Sequence, residues 1–132
     1  MANFALEELC RRKKDQTVKL IEIADTTQRI AEAVERRDEL SVQLLLGERE
    51  QPIRQLYELE EGIRAYLPTL PEAEAIRMNE LLRGAEPRTD EEKPLAEHAA
   101  QYRRMLESVT ALDKQVSLRL GGSRSFYKKF RE

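Results

Sequence analysis

The sequence predicts an all-α protein, an elongated antiparallel bundle of three long helices plus one short, proline-bounded helix. Apolar residues recur at alternating three- and four-residue steps, and prolines and glycines fall near a few points that divide the chain. Charged residues make up 36% of the chain and aromatic residues only 5%, with no tryptophan. This composition is typical of long helices whose outer faces carry charges of both signs. We predict one helical bundle domain over residues 1–121 and a tail over 122–132.

The first helix is predicted from about Asn3 to about Arg37, where no glycine or proline interrupts the pattern. A stripe at this spacing packs along another helix at a shallow angle. Three of its positions are polar, which predicts a seam that is partly wet and open, and favours a helical binding module over an enzyme. The full stripe is Leu6, Leu9, Lys13, Gln16, Leu20, Ile23, Thr27, Ile30 and Val34.

The second helix is predicted to begin after Asp38, a good N-terminal capping residue, and to continue to Leu67. Pro52 lies inside it, removes a backbone donor and crowds the carbonyl of Glu48, so a kink or a break is expected. Gly47 weakens the same turn by about 1 kcal/mol relative to alanine. The segment 47–52 is therefore the predicted weak point of this helix.

Two closely spaced prolines, Pro68 and Pro71, end the second helix. A short third helix is predicted from about Pro71 to Arg83, with Gly84 as its stop. Residues 84–93 form a polar linker in which Thr89 and Glu92 match a capping box. The buried candidates of the third helix are Ile76, Met78, Leu81 and Leu82.

The fourth helix carries a second one-sided stripe and ends at Gly121-Gly122. The tail that follows interleaves four basic residues with Phe126, Tyr127 and Phe130. Either these rings complete the core of the bundle, or they form a docking peptide for another protein. Four bases are too few for strong binding to nucleic acid or a membrane surface. The stripe comprises Leu95, Ala99, Tyr102, Met105, Leu106, Val109, Leu112, Val116 and Leu120.

The net charge, the apolar stretches and the number of cysteines exclude several classes of protein. A formal net charge of −2 gives no global field for nucleic acid or anionic membrane. No stretch approaches the roughly 20 apolar residues of a membrane span, and the acidic N-terminal segment is unlike a signal peptide. A single cysteine, Cys10, excludes an intrachain disulfide and makes a reducing cytoplasm the expected location.

No catalytic, metal or cofactor site is predicted. Cys10 is interpreted as a small core residue, and His98 lacks an acidic residue three positions before it, where Leu95 stands. The acids of residues 58–61 and 72–74 have no accompanying histidine or glycine-rich loop, and are interpreted as solvated helix faces. Phosphate-binding and nucleophile-elbow motifs are absent from the sequence.

Three segments, ERRDEL (35–40), LLLGERE (44–50) and IRQL (53–56), together with LDKQ (112–115), resemble the FlgN-like flagellar export chaperones and their FliT-type relatives. The resemblance implies a non-catalytic cytoplasmic bundle that holds amphipathic helices of hook-associated subunits and passes them to the export gate. By position, Leu112, Val116 and Leu120 would cover a client helix. Tyr127 would contact the export machinery. Pro52 and the short third helix depart from the family's pattern.

Two alternatives remain open from the sequence. A self-associating coiled-coil structural protein would pair the stripe of the first helix with a second copy, making a homodimer. A small enzyme or metalloprotein could instead be built inside the bundle.

Overall fold

The computed structural model describes residues 2–120, with side chains from Phe4 onward. The α-helices are α1 (Ala2–Glu35), α2 (Glu39–Tyr66), α3 (Glu72–Leu82) and α4 (Lys93–Arg119), and a 3₁₀ turn covers Leu67–Thr69. This described part contains no strand, so the all-α class is confirmed there. None of its helices combines the length and apolar character needed to cross a membrane.

The turn between α1 and α2 forms where the sequence predicted it. Arg37 adopts a left-handed φ of 59°, which reverses the chain after α1 ends. Asp38 caps α2, because its Oδ1 accepts a hydrogen bond from the Ser41 backbone N–H at 3.1 Å and its Oδ2 accepts one from the Ser41 hydroxyl at 2.6 Å. These bonds, the side-chain bond first, lower the pKa of the Asp38 carboxyl.

Helix α2 continues through Pro52, so of the expected kink or break, the break does not occur. A proline inside a helix costs about 3 kcal/mol. Residues on both sides of it are buried: Arg49 before it, and Ile53 and Leu56 after it. Packing of these side chains favours an unbroken helix and offsets the lost backbone bond.

Helix α3 begins after Pro71 and is followed by Gly84, as predicted. Gly84 has φ of 111°, a conformation that favours glycine, and a Cβ there would lie 3.2 Å from the Arg103 guanidinium. Met78 and Leu81 are buried, whereas Ile76 is 55% exposed, so its predicted burial is wrong. The short helix buries only one narrow face, and Ile76 lies on the other side of it.

The described residues group into two compact units. Unit 1 contains the chain up to Val18 and Leu56–Arg104, and unit 2 contains Lys19–Gln55 and the described residues from Met105. The core of unit 1 draws on all four α-helices and consists of Ala5, Leu6, Leu9, Ile63, Met78, Leu81 and Leu95. The buried apolar residues of unit 2 include Leu20, Ile23, Ile30, Ala33, Val42, Ile53, Val109 and Val116.

An ion pair within unit 1 holds the linker before α4. Glu92 Oε1 accepts bonds from Arg77 Nη2 at 2.7 Å and from the Arg88 backbone N–H at 2.8 Å. The Thr89 hydroxyl accepts a bond from the Glu92 backbone N–H at 3.3 Å, which is half of the predicted capping box. The Glu92 side chain turns instead to Arg77, and this bond lowers the pKa of Glu92 to about 2.

We expect Glu92 to contribute stability at neutral pH that is lost in acid. Its folded pKa of about 2 lies below the ordinary glutamate value of 4.5, so the contribution is present above pH 4.5 and disappears as the pH falls toward 2. The variant Glu92→Gln should therefore melt at a lower temperature than the native protein at pH 7, and the difference should vanish near pH 2. Circular dichroism melts at several pH values test this, with the exposed neighbour Glu91→Gln as the control. Equal melting curves for native protein and Glu92→Gln at pH 7 would contradict it.

Candidate helix-docking site

The apolar stripe of α1 is buried within the chain itself. Eight of its nine predicted positions are buried, and only Val34 is partly exposed. Its polar positions are buried too, so the predicted open, partly wet seam is wrong. A stripe that is covered by the chain's own helices is not available to a second copy. The predicted coiled-coil dimer would need this stripe to be exposed, so it cannot form through these residues.

Each polar position of the stripe has a partner inside its unit. In unit 1, the ammonium of Lys13 lies 4.0 Å from the centre of the Tyr102 ring, and Gln16 Nε2 donates to Glu60 Oε1 at 2.8 Å. Burial lowers the pKa of Lys13 to about 8, and the nearby Glu60 only partly opposes that effect. Burial likewise raises the pKa of the Tyr102 hydroxyl.

In unit 2, Thr27 belongs to a buried network that joins three helices. Arg49 Nη1 on α2 donates to Thr27 Oγ1 on α1 at 3.0 Å and to Asp113 Oδ1 on α4 at 2.7 Å. All three side chains are almost fully buried. Charge-assisted bonds of this kind fix which residues face each other.

The network changes the register predicted for α4. Asp113 is fully buried, in the position that the sequence analysis gave to Leu112. Leu112 is therefore moved to the edge of the packed face, where it is partly exposed. Val116 is buried at 3% exposure and contributes mainly to the core of the unit.

An open groove runs between α1 and α4 in unit 2. It has a volume of about 470 Å³ and is bounded on the α4 side by Leu112, Val116 and Leu118. Leu118 is 71% exposed. The α1 side is more polar, and the remaining lining residues are Gln28, Ala31, Glu32, Glu35, Gln115 and Arg119. The α4 side combines three apolar side chains with Gln115 and Arg119, and the α1 side carries Glu32 and Glu35. A groove of this mixed character suits an amphipathic helix that has charged residues beside its apolar face.

Leu120 lies in a separate groove at the turn between α1 and α2. This groove has a volume of about 410 Å³, and Leu120 shares it with Val34 and Val42. Its polar rim is formed by Arg37, Asp38, Glu39 and Gln43. Leu112 and Leu120 thus border two different depressions of the same unit.

The other predicted partner-binding residues, Phe126, Tyr127 and Phe130, lie outside the described residues, as does the whole predicted tail. Their role stays a prediction. Sequence reasoning missed Leu118, together with Leu40 and Leu44 on α2, which are all strongly exposed. Leu118 breaks the apolar spacing of α4, and an apolar residue on an otherwise polar face is the signal that could have identified it.

Cys10 and His98 are both partly exposed side chains. Burial raises the pKa of the half-buried Cys10 thiol, which lowers its thiolate fraction. His98 is partly exposed. Among residues 4–120 no three or more histidine, cysteine or acidic side chains come together as a metal-binding group.

Comparison with known proteins gives no relative. No protein-family model, curated protein or solved structure matches this chain.

Proposed function

We propose that this protein is a non-enzymatic cytoplasmic chaperone or adaptor that binds an amphipathic helix of an exported protein before secretion. The observation that carries the proposal is the groove between α1 and α4, where Leu118 and Leu112 leave apolar surface uncovered. An isolated amphipathic helix exposes a similar apolar stripe, so each surface can cover the other.

The proposal includes an elongated antiparallel bundle of three long helices with α3 as a shorter fourth. The short connection at residues 36–38 supports antiparallel neighbours for α1 and α2. The proposed client is a hook-associated or similar flagellar subunit, and this choice rests on the resemblance of residues 35–56 to flagellar export chaperones. Tyr127 is the proposed contact with the export machinery.

The buried polar positions of α1 modify how such a chaperone would work. Lys13, Gln16 and Thr27 are buried, and each contacts a side chain of another helix in its own unit, so a client would not open that seam. It would bind on the surface, at the edge of the unit, through the residues that the core leaves exposed. A surface groove of this kind predicts moderate affinity and easy release.

Binding can be measured with labelled synthetic peptides that represent the C-terminal helices of flagellar hook-associated proteins. We expect saturable binding by fluorescence polarisation, and Leu118→Glu should weaken it at least about tenfold because a central apolar contact is replaced by a charge. The control is Ile76→Glu, which changes an exposed apolar residue of unit 1 in the same way.

If Leu118→Glu and Ile76→Glu bind the peptide with equal affinity, the groove between α1 and α4 is not the client-binding site. The absence of binding by native protein to any such peptide, at concentrations up to about 1 mM, would contradict the chaperone function for this class of client.

A further inference from the structure

The groove that contains Leu120 lies at the point where the described chain ends. Leu120 is the last described residue, and its backbone N–H donates to the carbonyls of Val116 and Ser117, both at 3.1 Å. These bonds hold Leu120 against the last turn of α4, and its partly exposed side chain lines the groove together with Val34 and Val42. We call this depression the turn groove. The predicted tail therefore continues from a point on the groove itself.

The backbone around the turn groove is held by its own hydrogen bonds. The Arg37 N–H donates to the Val34 carbonyl at 3.0 Å, and the Asp38 N–H donates to the Ala33 carbonyl at 2.9 Å. The Val42 N–H donates to the Asp38 carbonyl at 3.1 Å. All of these residues belong to unit 2. A segment that binds in such a site does not have to order the walls, which lowers the free-energy cost of binding.

The turn groove is large enough for an aromatic ring. Its volume is about 410 Å³, whereas a cavity of about 150 Å³ holds benzene in another protein. Its apolar surface comes from Ala33, Val34, Val42 and Leu120. Because an aromatic ring covers a large apolar area when it is buried, a phenyl group is a suitable occupant.

The charges around the turn groove favour the chain's own tail as that occupant. The rim carries two acids, Asp38 and Glu39, and one base, Arg37. Residues 123–131 contain four bases and no acid, and they include three aromatic residues. Opposite net charges favour the approach of this segment. Since the tail belongs to the same chain, its effective concentration is about millimolar, and a modest affinity is enough for occupancy.

We propose that the tail folds back onto the turn groove and that the phenyl ring of Phe126 packs against Val34, Val42 and Leu120. The six steps from Leu120 to Phe126 can span up to about 20 Å, and the groove begins at Leu120. The glycine pair at 121–122 permits the reversal of the chain direction, because glycine adopts conformations that other residues avoid.

This arrangement is compatible with client binding. Consecutive side chains point in different directions along a regular backbone, so Tyr127 is left for its proposed contact with the export machinery when Phe126 is bound. The turn groove and the groove between α1 and α4 have no lining residue in common. The tail therefore covers apolar surface of unit 2 without occupying the proposed client site.

A single tryptophan can report on the position of the tail in the full chain. The native chain contains no tryptophan, so Phe126→Trp introduces one fluorophore, and Tyr127→Trp is the matched control. We expect Phe126→Trp to emit at a shorter wavelength and to be quenched less by acrylamide than Tyr127→Trp, because the bound ring is shielded from water. Equal emission and equal quenching of the two variants would overturn the proposal.

Val34→Lys, added to Phe126→Trp, tests whether the turn groove is the binding site. Val34 is partly exposed and lies in the last turn of α1, where a cation is favourable, so this variant should fold. Its charge should repel the basic tail and shift the emission to a longer wavelength. Leu118→Lys, which adds the same charge in the groove between α1 and α4, should leave the emission unchanged. A shift with Leu118→Lys, or none with Val34→Lys, would overturn the assignment to the turn groove.

The protein concentration distinguishes a contact within one chain from a contact between copies. The emission of Phe126→Trp should stay constant over about a hundredfold range of concentration, since an intramolecular contact does not depend on it. A shift to shorter wavelength on concentration would show that the tail binds a second copy, and would overturn the contact within one chain. No client peptide enters these measurements, so their outcome is independent of the proposed chaperone function.

Discussion

Asp113→Ala is expected to lower the free energy of unfolding by about 3–5 kcal/mol. The carboxylate of Asp113 accepts a bond from Arg49 at 2.7 Å, and both side chains are almost fully buried. Removal of the carboxylate takes away the charged acceptor that lies 2.7 Å from the buried guanidinium, and this loss of charge compensation dominates over the small loss of packing. Urea denaturation followed by circular dichroism at pH 7 measures the change.

Two further variants identify the cause of that loss. The exposed neighbour Lys114→Ala should change the free energy of unfolding by less than about 0.5 kcal/mol. The double variant Arg49→Met/Asp113→Leu should recover most of the stability, since replacement of a whole buried ion pair by apolar residues is often neutral or stabilising. If the double variant is less stable than Asp113→Ala, the ion pair itself stabilises the unit, and the reduced charge compensation of Arg49 is not the cause of the loss.

Lys13→Met is expected to raise the free energy of unfolding by about 1–2 kcal/mol at pH 7. The folded pKa of Lys13 is lowered from 10.5 to about 8 by burial, and a difference of this size corresponds to about 3 kcal/mol of cost for the charged form. The contact between the Lys13 ammonium and the Tyr102 ring offsets about 1–2 kcal/mol of that cost, and this contact is lost in the variant. Methionine keeps the length of the side chain and removes the charge.

The same residue gives the native protein a distinctive pH dependence. Between pH 8 and pH 10.5 the unfolded chain binds a proton at Lys13 that the folded chain does not, so stability from this group rises with pH in that window. The raised pKa of Tyr102 acts in the opposite direction above about pH 10. Native protein should thus gain stability relative to Lys13→Met between pH 8 and pH 10, as measured by urea denaturation at each pH. Parallel curves for the two proteins would show that the Lys13 pKa is not lowered by folding.

The positions of the helices could largely be predicted from local sequence. The cap at Asp38, the double proline at residues 68–71 and the stop at Gly84 each act within one turn of the chain, so they determine the boundaries without help from distant residues. The continuity of α2 through Pro52 has the opposite origin. Its backbone penalty is local, but the burial of Ile53 and Leu56 that outweighs it comes from other helices.

The candidate site could be predicted only in part, because α4 offers two registers. Leu112 and Asp113 lie three and four residues after Val109, and both spacings continue a helical stripe. Hydrophobicity favours Leu112 for the core. Asp113 is buried instead because Arg49, 64 residues earlier in the chain, meets it there. Nothing in the local sequence of either residue indicates this pairing.

The sequence by itself determined that this protein is helical, where its helices begin and end, and which face of α1 is buried. These properties follow from backbone preferences and apolar spacing, which act over a few residues. Only the tertiary structure decided how the buried polar side chains are satisfied, and therefore which leucines are left for a partner. A side chain such as Thr27 or Lys13 is compatible with either a wet seam or a sealed core, and the difference lies in the atoms that distant helices bring beside it.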